Sequence, residues 1–348
     1  MKDKKIFDFV IGNPPYQGEN QLNTRQPPIY NIFMDAVYPI ANVVELITPG
    51  RFLFNAGQTP KEWNEKMLND AHLKVLNYEP DSSKVFSNTD IKGGVVITMR
   101  NSNKNYGSIG TFTAFPELNS ILLKTNKKFD QGLDTIISPR GTYRTTEQFA
   151  KDYKDYISRL GDGTGNMIAS NFFEKIPECY KKSKPNDNWI GFVNRIKGQR
   201  TICYIEKKYV IDNPFLSTYN VLVPESNGTG AIGEVLSTPL IGEPLIGEPL
   251  IGVSDTFISI GKFKSRNEAE SCMKYVKTKY ARVMLGVLKA TQHNPASTWK
   301  YVPLQDFTPS SDIDWNKSIH EIDLQLYKKY GLDQHEIDFI ETNVKEMN

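Results

Sequence analysis

Asn13, Pro14, Pro15 and Tyr16 follow directly on an apolar run at residues 6–11, IFDFVI. The Asn13 amide oxygen and the Pro14 carbonyl are both acceptors, and together they can take the two hydrogens of one amino group. The Tyr16 ring adds a flat face for stacking. The set suits a planar ring bearing an exocyclic NH₂, such as adenine or cytosine. Two prolines cannot continue a strand ladder, and Pro15 also holds Pro14 in extended geometry. The strand must therefore stop, with the loop presenting these groups at its carboxyl end. A proline-rich turn that only ends a strand, with Asn13 as a cap, is the structural alternative. The context of an apolar strand before and a helical pattern after favours binding.

Other residue sets carry less chemistry. Cys179, Cys203 and Cys272 are far apart with no Cys-x-x-Cys pair, which fits a reducing cytosol and offers no zinc site. His72, His293, His320 and His335 have no ligand-like spacing, so no metal is expected. Asp187 with Glu206 and Lys208 resembles the Asp plus Glu-x-Lys set of metal-dependent nucleases, a pattern that also arises by chance. Two stretches are basic. One has Lys181, Lys182, Lys184, Arg195, Lys197, Arg200, Lys207 and Lys208 among Trp189, Phe192 and Tyr204. The other has Lys262, Lys264, Arg266, Lys274, Lys277, Lys279, Arg282 and Lys289. Basic residues among aromatic ones suit phosphate contacts with stacking, and a solvated face is the plain alternative.

The elements that must position these groups follow from periodicity. Residues 6–11 read as a buried strand, and a polar loop, QGENQLNTRQPP, follows Tyr16. Ile29, Ile32, Phe33 and Val37 have helical spacing, and ANVVELITP reads as a second strand closed by Pro49. Thr59 as N-cap and Pro60 at the first helical position open an amphipathic helix. HLKVLNYEP is a third strand, and Gly93 and Gly94 introduce a fourth. The pattern belongs to a doubly wound α/β sheet. After residue 101 the texture becomes irregular, with a turn-rich boundary at NSNKNYGS. LIGEPLIGEPLIG at 240–252 is a perfect pentad repeat, too short for a solenoid, and copy number could vary by slippage without a frame shift. NEAESCMKYVKTKYARVMLGVLKAT reads as one long helix. The last forty residues add two more with an acidic excess, either a solvated face or a surface that docks on a basic partner.

DFVIGNPPYQ resembles the catalytic motif of the adenine-specific (N6) DNA methyltransferases of bacterial restriction–modification systems. PIYNIFMDAVY, VELITPGRFL and VFSNTDIKGGVVITMR resemble three later segments of that family, in order, over residues 6–100. The resemblance implies that Asn13 and Pro14 bind the adenine amino group, with Pro15 shaping the loop, while Tyr16 and Phe86 sandwich the extruded ring. Phe86 is otherwise a core phenylalanine. Phe33 is either near the cofactor pocket or helix core. The implied cofactor is S-adenosylmethionine, whose site in this order precedes the catalytic motif. Only twelve residues precede Asn13, so that half is expected to be absent. The glycines of LGDGTGN (Gly161, Gly163, Gly165) follow a helix-like stretch and make a poor substitute.

The expected architecture is therefore α/β. A partial Rossmann-like methyltransferase sheet spans 1–105, followed by an α+β target-recognition region at 106–308, and a C-terminal helical segment at 309–348. The basic stretches, represented by Lys181, Lys182, Arg195, Lys197, Arg200, Lys262, Lys264 and Arg266, would contact double-stranded DNA. A separate cofactor-binding subunit or upstream fragment would complete the enzyme. The alternatives are a DNA-binding specificity subunit without catalysis and a restriction endonuclease component. Composition excludes little: 348 residues, 39% hydrophobic and 24% charged, describe a soluble globular chain, and a net charge of +2 argues neither for nor against a polyanion. No apolar run spans a bilayer and no secretory signal is present, so a cytoplasmic protein is expected.

Overall fold

The computed structural model describes residues 5–18, 27–55, 58–87, 91, 93–161, 163, 165–227, 232, 240–289 and 292–347. The middle of the polar loop after Tyr16 lies outside the described residues. The chain divides into two compact units, Met1–Asn119 and Ser120–Asn348.

The first unit is built on one mixed sheet of β1 (Phe7–Gly12), β2 (Ala41–Pro49), β3 (Leu73–Glu79) and β4 (Val95–Asn101), in the order β1-β2-β4-β3. β1 and β2 are parallel, joined through helix α1 (Tyr30–Val37), because parallel strands need a crossover. Helix α2 (Lys61–Asn69) connects β2 to β3. β4 then runs antiparallel to both neighbours, so β3 is parallel to β2. Gly94 (φ +67°) makes that reversal possible: a Cβ there would lie 2.5 Å from the Glu79 carbonyl oxygen. The core holds Met34, Phe52, Met67, Leu73 and Val96 with no exposed surface.

Three local expectations change. β1 is an edge strand, not a buried one; Phe7, Phe9 and Ile11 are 50%, 53% and 71% exposed. An apolar run does not reveal whether a neighbour covers it. On α1 the buried residues are Tyr30, Asn31 and Met34, while Ile32 and Phe33 face outward. Phe33 is thus not helix core, because Tyr30 and Met34, one turn apart, take the inner stripe. At α2 the N-cap is Pro60 rather than Thr59, whose hydroxyl instead donates to the Asn64 side-chain oxygen at 2.7 Å.

Helix α3 (Pro116–Asn126) runs across the boundary between the units. The second unit continues with three short helices, α4 (Glu147–Asp152), α5 (Tyr156–Leu160) and α6 (Phe172–Lys175). Its strands are β5 (Trp189–Ile196), β6 (Gln199–Glu206), β7 (Tyr219–Pro224), β8 (Leu245–Gly247), β9 (Ile251–Val253) and β10 (Phe257–Phe263). They form two three-stranded sheets, β6-β5-β9 and β10-β7-β8. The pentad repeat makes the crossing between them. Its second LIG is β8, paired with β7, and its third leads into β9, paired with β5. The repeat's glutamates bracket helix α7 (Arg266–Lys277): Glu248 pairs with Arg266, and Glu243 with Lys277 at 2.5 Å. Five extended residues and eleven helical steps both span about 16 Å, so the register fits.

The long helix expected after residue 266 is broken at Thr278, which turns extended (ψ 147°) and caps α8 (Lys279–Leu285) through its side chain. α9 (Ile319–Tyr330) and α10 (Gln334–Asn343) both open with capping boxes. The acidic excess of this region is not simply solvated. Glu336 and Asp333 hold Lys124 at 2.6 and 3.0 Å, and Glu341 holds Lys279 at 2.5 Å. Asp323 accepts from the Lys279 and Tyr280 backbone N–H groups at the start of α8.

Burial raises the Asp323 carboxyl from 3.8 to about 6, against the opposing pull of those two N–H groups and Arg282. A carboxyl raised on folding stabilises the fold through its protonated form. That contribution is full below the unfolded value and is lost as pH rises through the folded one, a difference worth about 3 kcal/mol. The stability of the wild type relative to Asp323→Asn should therefore fall between about pH 4 and pH 6.5 in urea titrations. Parallel pH profiles for the two proteins would contradict this.

Candidate active site

β1, β2 and β3 are mutually parallel, so their carboxyl ends lie along one edge of the sheet. That edge is where open α/β sheets bind ligands. The segments leaving it are the Asn13–Tyr16 loop after β1, the Gly50–Phe54 3₁₀ turn after β2, and the 79–87 segment after β3. Topology thus brings together residues that are far apart in sequence.

Asn13 is exposed, and its side-chain amide makes no hydrogen bond among the described residues; Pro14 is buried and Pro15 exposed. The loop is pinned from its far end. The Tyr16 carbonyl accepts from the Ile29 N–H at 3.2 Å, the Gly18 N–H donates to Pro27, and Gln17 bridges to Pro28. Tyr16 is half-buried, and burial pushes its phenol up to about 12, so the hydroxyl stays protonated. Phe86 does come to Tyr16, with ring centroids 6.3 Å apart, but the planes cross at 67°. That is an edge-to-face contact, not an open parallel slot, so a base entering between them requires at least one ring to turn. Phe33 is exposed on α1.

Sequence reasoning missed Arg51. It follows the strand-ending Pro49 much as Asn13 follows β1, and parallel strands place both loops at one edge. With Tyr16, Gln17, Tyr30, Gln58 and Ile91 it lines a cavity of about 120 Å³. The Arg51 Nε and the Tyr16 hydroxyl are buried there without a hydrogen-bond partner among the described residues.

S-adenosylmethionine does not fit the cavity at Tyr16. Pockets for ligands of its size run to at least about 300 Å³, well above the cavity at Tyr16. The Gly161–Gly165 stretch follows α5 instead of a strand, and Gly161 (φ +91°) is simply that helix's C-cap. A larger cavity of about 440 Å³ lies in the second unit, lined by Arg140, Tyr143, Glu225, Asp255 and His293, with the His293 ring 3.0 Å from Glu225.

The two basic stretches fare differently. β5 and β6 form a hairpin whose turn, Lys197–Gly198, has φ of +49° and +79°. Both positions need left-handed backbone, which favours Gly at the second. Lys181, Lys182, Lys197 and Arg200 are exposed around it, and Arg200 lies over the Phe257 ring at 5.1 Å. The side chain of Arg195 lies outside the described residues. Of the second stretch, Lys262, Lys264 and Arg266 are exposed, although Arg266 is paired with Glu248 and Glu270. The remainder is structural rather than a DNA surface. Lys277, Arg282 and Lys289 are buried, Lys274 donates to the Trp315 and Lys317 carbonyls, and Lys279 pairs with Glu341. The nuclease-like residues are tied up separately, Asp187 with Lys184 and Glu206 with Lys208. Among the described residues no group of three or more His, Cys, Asp or Glu could hold a metal. No described helix is long and apolar enough to cross a membrane.

Residues 1–86 match the family model described as "Eco57I restriction-modification methylase". An "Uncharacterized adenine-specific methylase" of Mycoplasma pneumoniae is 29% identical over 93 residues, 26% of this chain. The match spans 22% of that relative's length. Among solved structures, the type IIL restriction–modification enzyme MmeI in complex with DNA superposes with a TM-score of 0.34 at 12% identity. That alignment covers 96% of this chain and 56% of MmeI, and at so low a score it carries no argument. Over its N-terminal quarter, where the exposed Asn13 loop and Tyr16 stand at the carboxyl edge of the sheet, the chain resembles the adenine-specific methylases of restriction–modification systems.

Proposed function

We propose that the chain is the base-handling part of a site-specific DNA adenine N6-methyltransferase of a restriction–modification system. One observation carries the reading: the Asn13 amide and the Pro14 carbonyl stand at the carboxyl edge of the sheet, beside Tyr16 and Phe86. An adenine amino nitrogen is a poor nucleophile because its lone pair is delocalised into the ring. Acceptors fixed on both its hydrogens favour the pyramidal nitrogen and aim the lone pair, so positioning and preorganised dipoles supply the rate. A base must leave the duplex to reach such a site, and aromatic faces replace its lost neighbours.

The methyl donor in this reading is S-adenosylmethionine, bound by a cofactor half outside the described residues. The outer edge of β1 supports the docking of such a half, whether a separate subunit or an upstream fragment. Among the described residues no strand pairs with the outer side of β1, and Phe7, Phe9 and Ile11 are exposed. The second unit would carry target recognition, with the β5–β6 hairpin tracking the DNA backbone. Co-expression of the chain with its cofactor half, followed by single-molecule sequencing of the host DNA, tests the proposal. N6-methyladenine should appear at one recurring sequence. A complex that binds the donor yet leaves all adenines unmodified would sink it.

The hairpin is tested independently. Replacing Lys197 and Arg200 together by Ala should weaken DNA binding evenly across sequences. It should also flatten the slope of log affinity against log salt by about two, since each phosphate contact contributes about 0.9. An unchanged slope would remove the hairpin from the interface.

A further inference from the structure

The cavity at Tyr16 has a polar lining of one kind. Its side chains that can reach a ligand are the Arg51 guanidinium, the Gln17 and Gln58 amides and the Tyr16 hydroxyl. Each can donate, and no carboxylate is among the described lining residues. The Tyr30 hydroxyl is already engaged with Thr59. Arg51 makes no side-chain hydrogen bond and no ion pair among the described residues, and its Nε is buried. The Tyr16 hydroxyl is in the same state. A guanidinium partly withdrawn from water with nothing to bind is costly unless an anion completes it.

Arg51 is also held in place. The Gly50 N–H donates to the Gly94 carbonyl at 2.9 Å, and the Arg51 carbonyl accepts the capping N–H of Asn55. Gly93 packs so closely on the Arg51 stem that a Cβ there would meet its Cγ at 2.6 Å. The backbone around Arg51 and the start of its side chain are therefore fixed.

We propose that Arg51, with the Tyr16 hydroxyl, forms a subsite for a phosphodiester, gripping the DNA backbone beside the extruded adenine. A planar guanidinium matches phosphate oxygens two at a time. A volume of about 120 Å³ admits one phosphate group and its waters, but not a nucleotide. Tyr16 would then serve two ends of one nucleotide, its ring on the base and its hydroxyl on the backbone. The inference rests on the proposed function and adds a residue that reads no sequence.

The probe is a short duplex with a central adenine opposite an abasic site, where extrusion costs least, titrated with the full chain at several salt concentrations. Arg51→Gln should lower the slope of log affinity against log salt by about one contact's worth, 0.9, and weaken binding several-fold. The loss should be smaller with the fully paired duplex. Arg51→Lys keeps the charge and should keep the slope. Thermal unfolding should not fall in either variant, because the Arg51 side chain makes no hydrogen bond or ion pair among the described residues. If Arg51→Gln binds like wild type while the Lys197/Arg200 double variant is weakened, DNA binding stands and the subsite is overturned. If no variant and no wild type binds the duplex, the methyltransferase reading itself fails. Inorganic phosphate provides the last arm. If millimolar phosphate raises the melting temperature of the wild type but not of Arg51→Gln, and the DNA slope is unaffected, the anion is a free phosphate and the backbone assignment falls.

Discussion

Replacing Asn13 by Ala should lower methyl transfer to DNA by about 10²–10³-fold, the cost typical of removing one preorganised hydrogen-bonding group from a reacting centre. The chain should remain folded. Asn13 is exposed and its amide binds nothing among the described residues, so stability should stay within about 0.5 kcal/mol of wild type. The assay is incorporation of labelled methyl groups by the chain combined with its cofactor half, with DNA binding measured alongside. Affinity for DNA should hardly move, because phosphate contacts dominate it. Asn13→Asp keeps an acceptor at the same place and should retain more activity than Ala. Wild-type turnover in Asn13→Ala would mean that the amino group is held elsewhere, and the reading of the loop would be lost.

Phe52→Ala should destabilise the first unit by about 3–5 kcal/mol, the usual cost of emptying a fully buried phenylalanine site. Phe52 is completely buried and forms an aromatic triad with Tyr30 and Trp63, at centroid distances of 6.4 and 5.4 Å. Tyr30 and Trp63 close the triad at 6.1 Å. A domain of ordinary size has about 5–15 kcal/mol in total, so the variant would sit near its folding limit. Phe52→Leu, which nearly conserves volume, should lose far less, about 1.5 kcal/mol or under. Urea unfolding followed by tryptophan fluorescence reads both. The effect reaches the site through a short path: Tyr30 adjoins Ile29, whose N–H holds the Tyr16 carbonyl. Methylation by Phe52→Leu should therefore fall more than its stability does. Equal stability of Phe52→Ala and wild type would mean that this triad is not the core of the unit.

The NPPY loop, the strands after it and the paired glycines before β4 were all legible in the residues themselves, because each depends on local rules. Prolines end ladders, alternating apolar residues make strands, and Gly93 and Gly94 supply positive φ (84° and 67°) where the chain must reverse. The motif's chemistry was equally local, since two acceptors and one ring lie within four residues. Phase and partnership were not legible. The apolar pattern of α1 did not say which face turns inward, and that of β1 did not say that no strand among the described residues pairs with its outer edge.

The charged residues show the same division more sharply. The basic stretch from Lys262 to Lys289 and the acidic segment after residue 309 each suggested an outside partner when read alone. The tertiary structure joins them: Glu341 meets Lys279 across 62 residues of chain, and Asp323 caps α8. The LIGEP pentads are identical in sequence yet enter different sheets, because neighbouring strands rather than the pentad choose the pairing. Arg51 is the plainest case. Nothing in TPGRFL marks it, and only the parallel run of β1, β2 and β3 sets its loop beside Tyr16. Local patterns alone were enough to place the Asn13–Tyr16 loop at a strand end and to give the succession of the first elements along the chain, which follow from contacts a few residues apart. Which charges are free and which residues share the site depended on long-range packing, which no local pattern encodes.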